Sequence, residues 1–224
     1  MSLEEVDAFV YRPPQRPWLS IVYQDDDILI VDKPSGLLSV PGRRPEHKDS
    51  AFLRVQDNHP AARIVHRLDM DTSGLLIVAL HPDAERDLHR QFRERTVEKV
   101  YKARIWGHPE ADEGLIDLPL QRLKVRPPRS VVSAEHGKPS RTRYQVTERR
   151  SDGTTSIDLF PETGRSHQLR VHLLSLGHPI LGDRFYATGQ ALAASPRLCL
   201  HAARVAIAHP ATGERCAFQA PLPF

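Results

Sequence analysis

The stretch HRLDMDTSGLLIVAL, residues 66–80, places charged side chains directly before an apolar run. Asp69 and Asp71 flank Met70 and precede a Thr-Ser-Gly turn. An ionised carboxylate at the rim of a buried strand is costly unless a cation accompanies it. Paired with a cation, it stays ionised and can act as a nucleophile or as an electrostatic stabiliser.

Two arginines are candidates for this cation. Arg67 lies two residues before Asp69, and Arg165 belongs to a second basic motif, TGRSHQLR. Two alternatives stay open at this point. Either aspartate is also a plausible capping or structural residue, and spacing alone does not separate Asp69 from Asp71.

Metal and cofactor chemistry has little support in the sequence. His167 and His172 lack the spacing of a metal motif such as HExxH, and Cys199 and Cys216 have no partner pair. The sequence contains no Walker loop and no GxGxxG motif. We therefore expect neither a metal nor a cofactor.

Composition indicates a globular protein with a substantial core, since 40% of the 224 residues are hydrophobic and 26% are charged. Two cysteines allow at most one disulfide, which favours a reducing compartment. The N-terminus lacks the pattern of a signal peptide, and the longest apolar run, 75–80, is too short to cross a bilayer. We expect a cytoplasmic protein that does not bind membranes.

The elements that must position these residues are strands in succession with a few helices between them. Helical periodicity predicts helices at 83–95, with Asp83 as N-cap, and at 168–176, ended by Gly177. This order indicates an α+β fold around a mixed, mainly antiparallel sheet. Apolar or alternating segments predict strands at 28–31, 75–80, 100–106, 141–148, 156–160 and 198–208.

Two segments differ from this pattern. Prolines at 13, 14 and 17 disfavour regular structure, so residues 1–20 are predicted to form an extended arm before a single domain at 21–224. Residues 121–140 are basic, Pro-rich and aperiodic. We interpret them as a mobile basic flap over the site, or equally as a disordered insertion. Their charge is typical of a phosphate-binding surface, with a plain solvated loop as the alternative.

Five segments together resemble the RluA-type pseudouridine synthases. HRLDMDTSG is similar to the HRLDxxTSG signature of that family, and the other family motifs occur along the chain in the order typical of the family. The resemblance covers residues 18–224. It implies the pseudouridine synthase fold, with helices and loops flanking the sheet around a central catalytic cleft. The other motifs are VDKPSGLLSVPG at 31–42, KVYKARIWG at 99–107, TGRSHQLRVHLLSLGHPILGD at 163–183 and LCLHA at 198–202.

Enzymes of this family break the N-glycosidic bond of a uridine in RNA, turn the uracil over and rejoin it through carbon. The resemblance places the family's essential aspartate on Asp69, which favours it over Asp71 as the nucleophile. The family's tyrosine falls on Tyr101, implied either to pack against the uracil or to help remove the C5 proton. Because an ordinary tyrosine has a pKa of about 10, packing is the safer role. The basic residue falls on Arg165, which is implied to hold Asp69 ionised.

Three further residues are expected at the substrate. A stacked uridine must be flipped out to reach such a pocket, and Arg67 is expected to contact the vacated space or neighbouring phosphates, unless it is a structural partner of Asp69. Leu200 is expected to line the apolar side of the uracil pocket, with a plain core leucine as the alternative. His66 is placed with the substrate-binding residues and, like His167, is expected to be a hydrogen-bonding scaffold.

The short chain most resembles family members that modify both ribosomal and transfer RNA. The expected partners are therefore the tRNA anticodon stem-loop and 23S rRNA, and the expected oligomeric state is a monomer. Two rival functions remain. One is an RNA-binding module with a degenerate site, and the other is a hydrolytic glycosidase with Glu162 as its acid.

Overall fold

The computed structural model describes residues 10–125 and 127–224. Its helices are α1 (Ala51–Gln56), α2 (Pro82–Glu94), α3 (Gln168–Ser175) and α4 (Gly189–Ala193), with a short 3-10 helix at Pro45–His47. Within these residues, no helix is both long enough and apolar enough to span a bilayer. The strands are β1 (Ser20–Gln24), β2 (Ile28–Lys33), β3 (Arg63–Ile64), β4 (Ser73–Ala79), β5 (Glu98–Trp106), β6 (Glu113–Asp117), β7 (Leu120–Arg122), β8 (Ser130–Val132), β9 (Arg141–Arg149), β10 (Thr154–Pro161), β11 (Leu200–Ala208) and β12 (Arg215–Gln219).

Ten of these strands form one mixed sheet. Its order is β1-β2-β4-β11-β5-β10-β9-β6, with β12 paired to β11 and β3 paired to β4. The β4–β11 pair is parallel, whereas the neighbouring pairs of the sheet are antiparallel. β7 and β8 form a separate hairpin. The predicted α+β fold with a mixed, mainly antiparallel sheet is therefore confirmed.

The two halves of the sheet meet where β4 and β11 pair in parallel over a short length, which we call the β4–β11 crossing. β4 and β11 pair only through Ser73 with His201 and Gly74 with Ala202. Further along, β4 pairs with β3 and β11 pairs with β12. The amphipathic helix α2 packs its buried Leu88 into the same hydrophobic cluster as residues of β2, β4 and β11. The crossing thus follows directly after the loop that carries Asp69.

Gly74 makes this close crossing possible. Its φ is +111°, and a Cβ atom at this position would lie 2.4 Å from the carbonyl oxygen of Ala202. No side chain fits that space, and the backbone conformation itself favours glycine. The glycine of the Thr-Ser-Gly turn therefore fixes where the Asp69 loop joins the sheet.

The six predicted strands and both predicted helices are present, with ends that differ by a few residues. Gly177, at a φ of +84°, follows the end of α3 as predicted. The prediction that Asp83 caps α2 was wrong. The N-cap is His81, whose Nδ1 accepts a hydrogen bond from the Ala84 N–H at 3.3 Å. Pro82 explains the difference, because proline is preorganised for the first helical position.

Of the two exceptional segments, only the described part of residues 121–140 is more regular than the sequence predicts. Residues 10–19 of the predicted arm have no regular structure before β1, and residues 1–9 lie outside the described residues. Residues 121–140 are not an aperiodic loop, because β7 and β8 pair there. Leu120 and Lys138 also exchange two backbone hydrogen bonds, of 3.0 and 2.9 Å. A disordered insertion is therefore the wrong interpretation of the described part of this segment, which we call the basic hairpin (residues 120–138).

Candidate active site

Asp69 lies in a loop between β3 and β4 that is held by the segment after β2. Ser39 Oγ donates a hydrogen bond to the Leu68 carbonyl oxygen at 2.7 Å and accepts one from the Leu68 N–H at 3.0 Å. Ser35 Oγ donates to the carbonyl oxygen of Asp71 at 2.7 Å. The motif VDKPSGLLS thus fixes the backbone on both sides of Asp69.

Lys33 also stabilises the loop that carries Asp69. Its side chain is fully buried, and burial lowers its pKa, while the Asp71 and Asp69 carboxylates act in the opposite direction. An ammonium group has three donors, and each has an acceptor here. Lys33 Nζ donates to the carbonyl oxygens of Pro34, Leu37 and Met70, at 2.9, 2.8 and 3.0 Å.

The cation beside Asp69 is Arg170, in the first turn of α3. Its Nη1 donates to Asp69 Oδ2 at 3.2 Å, while its Nε and Nη2 form two 2.7 Å hydrogen bonds with Asp183. Burial opposes the charge of Arg170, but the hydrogen bonds to Asp183 and the attraction of both carboxylates raise its pKa above the ordinary value. Arg170 is therefore a fixed, permanently charged partner of Asp69.

Asp69 itself keeps one oxygen free. Its side chain is 28% exposed, against 2% for Arg170. Within the part of the chain that the structure describes, Oδ2 is the oxygen bonded to Arg170, and Oδ1 accepts no hydrogen bond. An ionised carboxylate with one oxygen held and the other accessible is suited to attack a substrate.

The pairing predicted between Arg165 and Asp69 was wrong. Arg165 is exposed, and its Nε donates to the carbonyl oxygen of Pro139 at 3.4 Å. It lies in the turn that precedes α3, where the side chain of Gln168 accepts a hydrogen bond from its backbone N–H at 3.0 Å. Arg165 thus contacts the residue that follows the basic hairpin, and Arg170, in the same motif, takes the position beside Asp69.

Asp71 has different surroundings from Asp69. Its two oxygens accept hydrogen bonds from Arg184 Nε and Nη2, at 2.8 and 3.3 Å. Its side chain is 17% exposed. Because both of its oxygens are engaged, Asp71 has the contacts of a structural ion pair.

Tyr101 lies on β5 and packs against two hydrophobic clusters of the core. Its backbone is opposite Leu159 on one side and Ala202 on the other. Among the described residues, none forms a hydrogen bond with its hydroxyl group. Burial, and secondly the nearby Asp69 charge, raises the pKa of Tyr101. The phenol therefore stays protonated at neutral pH, which disfavours a role as base and leaves packing.

The other predicted substrate residues have unequal surroundings. Arg67 is exposed, and its side chain pairs with no described residue, so it is accessible to RNA. Leu200 is 3% exposed and belongs to the cluster against which Tyr101 packs. His66 Nε2 accepts a hydrogen bond from the Ile77 N–H at 2.9 Å, and its ring lies 4.9 Å from that of Phe92. These contacts are those of the hydrogen-bonding scaffold that the sequence predicted for His66.

Sequence reasoning missed several residues of this site. Arg170, Asp183 and Tyr186 received no role, and His167 was given only a scaffold role. One signal was available in the sequence: the segment QLRVHLL places an arginine among apolar residues of a predicted helix. In the structure the first six residues of that helix are buried. A buried arginine requires a carboxylate partner, and Asp183 is the next acidic residue along the chain.

One group elsewhere combines the side-chain types of a metal site. Atoms of Asp25, Asp27 and His209 lie within 4.8 Å of one another. His209 Nδ1 accepts hydrogen bonds from two backbone N–H groups, so Nε2 carries the hydrogen and donates it to Asp25 at 2.8 Å. With both nitrogens engaged, His209 has no lone pair for a metal. The group instead joins the β1–β2 turn to the β11–β12 turn.

Comparisons with known proteins agree with this geometry. A family model described as RNA pseudouridylate synthase matches residues 27–175. The chain is 58% identical over 214 residues to the dual-specificity RNA pseudouridine synthase RluA of Escherichia coli strain K12, which covers 96% of this chain and 98% of the relative. It is 52% identical over 214 residues to the protein of the same name from Pasteurella multocida strain Pm70, with the same coverage.

Solved structures give the same result. Human RNA Pseudouridylate Synthase Domain Containing 1 is similar with a TM-score of 0.77 and 32% identity, over 97% of this chain and 86% of that chain. Human RNA Pseudouridylate Synthase Domain Containing 4 has a TM-score of 0.72 and 26% identity, over 91% and 88%. The chain therefore belongs to the RNA pseudouridylate synthase family, and it is an isomerase that acts on RNA.

Proposed function

We propose that this enzyme converts a loop uridine to pseudouridine in both transfer and ribosomal RNA, with Asp69 as the nucleophile. One observation carries the assignment: Asp69 is held through Oδ2 by the buried Arg170, while its Oδ1 accepts no hydrogen bond from any described residue. Asp71, the rival carboxylate, has both oxygens engaged by Arg184.

The reaction rearranges bonds without adding atoms. The C1′–N1 bond of the uridine breaks, a C1′–C5 bond forms, the C5 proton is released and N1 gains a proton. Asp69 Oδ1 attacks C1′ of the flipped-out nucleotide, so that an ester bond to C1′ forms as the C1′–N1 bond breaks, and this ester bond breaks again when C5 bonds to C1′. Arg170 holds Oδ2 by a charge-assisted hydrogen bond throughout. No step requires a metal or a cofactor, and we include neither in the proposal.

Tyr101 packs against the face of the uracil in this proposal. Its hydroxyl has no partner among the described residues, and its pKa is raised by burial and by Asp69. Its ring is therefore a neutral, partly buried surface on which a base can stack. Leu200, in the cluster beside Tyr101, supports this surface from behind and has little area left for direct contact.

The RNA lies across the basic hairpin and Arg67. Arg122, Lys124, Arg129 and Lys138 are exposed on the hairpin. Burial lowers the pKa of His167, and Arg122 is close enough to add to this shift through its charge, so the hairpin borders the site. A basic surface around a pocket that accepts one flipped base favours stem-loops, because a loop nucleotide costs least to extrude.

The substrates we propose are the tRNA anticodon stem-loop and 23S rRNA. Support comes from the relatives named dual-specificity synthases, which align with nearly the whole chain. We infer that the enzyme acts as a cytoplasmic monomer, since transfer and ribosomal RNA are available there and the proposed site is built from one chain.

The test is release of tritium from C5 of labelled uridine in three transcripts: an anticodon stem-loop, a 23S rRNA fragment and an unstructured RNA of equal length. Nucleosides are separated after digestion. Pseudouridine from both structured transcripts supports the proposal, and pseudouridine from one alone refutes dual specificity. Free uracil would indicate a glycosidase, and RNA binding without release would indicate a binding module.

A further inference from the structure

His167 faces the Asp69 carboxylate from the residue before α3. Its Nε2 lies 3.9 Å from Asp69 Oδ2, the oxygen that Arg170 also holds. Its φ of 57° is in the left-handed region, which is uncommon for a residue other than glycine. Such backbone strain persists where the surrounding contacts hold it, and His167 is 9% exposed.

The hydroxyl of Tyr186 determines which nitrogen of His167 carries the hydrogen. The Tyr186 oxygen accepts a hydrogen bond from the Ser130 N–H at 2.8 Å and lies 2.7 Å from His167 Nδ1. Among the described residues, Nδ1 is the one acceptor within reach of the Tyr186 hydrogen. Because Nδ1 accepts that hydrogen, the neutral imidazole carries its own hydrogen on Nε2. The N–H group of His167 is thus the one that faces Asp69.

The same hydroxyl connects the site to the basic hairpin. Ser130 is the first residue of β8 and is buried. Its neighbour Arg129 places its guanidinium group 5.7 Å from the ring centroid of Phe185. Phe185 also stacks with His167, at 5.7 Å between centroids and 19° between planes. Two adjacent aromatic residues, Phe185 and Tyr186, therefore lie between the hairpin and His167.

We propose that Tyr186 is a positioning residue for the catalytic carboxylate. Through its hydroxyl it fixes His167 with Nε2–H toward Asp69, so that this N–H group faces Oδ2 while Arg170 holds the same oxygen, and Oδ1 is left directed to the substrate. The hydrogen bond from the Ser130 N–H to the Tyr186 hydroxyl makes this arrangement depend on the position of the basic hairpin. It thereby couples the RNA-binding surface to the nucleophile. This inference rests on the proposed function of Asp69.

The first test is Tyr186→Phe, which removes one oxygen and keeps the ring. We expect kcat on the anticodon stem-loop to fall about 10-fold and KM to change less than about 2-fold. Tyr23→Phe is the matched control, because it also removes a hydroxyl bonded at 2.7 Å, to Asp25, on the β1 edge of the sheet. An unchanged kcat, or a rise in KM alone, would overturn the positioning role.

The second test observes His167 directly and does not depend on turnover. In the wild type, the ¹⁵N shifts of its ring should identify the neutral form with hydrogen on Nε2, and Tyr186→Phe should give a mixture of both tautomers. The same tautomer in both proteins would overturn the inference. If the wild type makes no pseudouridine, the proposed function fails, while this readout still tests the positioning contact.

A third test covers the case in which Tyr186→Phe folds poorly. His167→Gln leaves the bond between Ser130 and Tyr186 intact and offers an amide N–H at the place of Nε2. It should retain kcat within about 3-fold, whereas His167→Leu should lose about 10-fold or more. Equal kcat values for the two variants would contradict the requirement for a donor toward Asp69.

Discussion

Arg170 joins two carboxylates of unequal exposure: it makes two 2.7 Å hydrogen bonds to Asp183, which is 1% exposed, and one of 3.2 Å to Asp69, which is 28% exposed. Asp183 anchors the guanidinium group, so its position is set before any substrate arrives. The weaker bond then orients Asp69 without engaging both of its oxygens. The orientation of Asp69 thus depends on Asp183, a buried residue that does not contact Asp69 directly.

Asp183→Asn should damage both the fold and the activity. The variant leaves the charge of Arg170 buried with one carboxylate partner, and breaking a buried pair costs about 3–5 kcal/mol. Arg170 should then bind Asp69 through both nitrogens and engage the free oxygen. Urea denaturation and tritium release measure the two effects.

Asp158→Asn provides the control for that change, because Asp158 pairs with the partly exposed Lys102 on neighbouring strands. It should cost about 1 kcal/mol or less. Equal losses for the two variants would show that the pair of Arg170 and Asp183 has no special role.

The main strands could be predicted well from the sequence, because the apolar composition of a segment such as 75–80 indicates that it is buried. The sequence also identified the loop that carries Asp69. The cation predicted for Asp69 was the wrong one, because Arg165 and Arg170 belong to one motif and their spacing does not show which side chain is buried. That choice depends on where α3 begins and on Asp183, which is contributed from beyond the helix.

The basic hairpin was equally beyond sequence reasoning. β7 and β8 have three residues each, too few to produce a recognisable alternation. Their place is set by tertiary contacts, above all the bond from the Ser130 N–H to the Tyr186 hydroxyl. Contacts between segments 56 residues apart leave no periodic signal.

Gly74→Ala should destabilise the protein more than Gly153→Ala. Both glycines have positive φ, but a Cβ at Gly74 meets the backbone of Ala202 at 2.4 Å, whereas a Cβ at Gly153 meets nothing within 4 Å. The difference measures the clash alone and should be about 1–3 kcal/mol in the free energy of unfolding. Equal midpoints of urea denaturation would contradict the close crossing of β4 and β11.

Acid should weaken the fold through His66. Burial lowers the pKa of His66 to about 3, and the charge of Lys99 acts in the same direction. The unfolded chain binds this proton near pH 6.5, so the stability contributed by neutral His66 is complete above pH 6.5. It is lost progressively as the pH falls from 6.5 toward 3.

His66→Gln tests this, because glutamine can accept the Ile77 N–H without titrating. Between pH 6 and 4, the free energy of unfolding of the wild type should fall more steeply than that of the variant, by about 1.4 kcal/mol per pH unit. Parallel pH profiles would mean that the pKa of His66 is not lowered in the folded protein.

Arg67→Ala should weaken turnover without affecting the fold. The side chain is exposed and pairs with no described residue, so little stability depends on it. If it contacts a phosphate, RNA binding should weaken by about 10-fold and the salt dependence should lose about one unit of slope. Arg93→Ala, an equally exposed arginine on α2, serves as the control. An unchanged kcat/KM for Arg67→Ala would exclude the contact.

The most direct test of the central claim compares Asp69→Asn with Asp71→Asn in single-turnover tritium release from the anticodon stem-loop, with RNA binding measured in parallel. Asp69→Asn should bind the RNA normally and slow release by about 10⁴-fold. Asp71→Asn, which loses its ion pair with Arg184 and its charge near Lys33, should slow it by less than about 10-fold. Substantial release by Asp69→Asn, or an equal loss in both variants, would contradict Asp69 as the nucleophile.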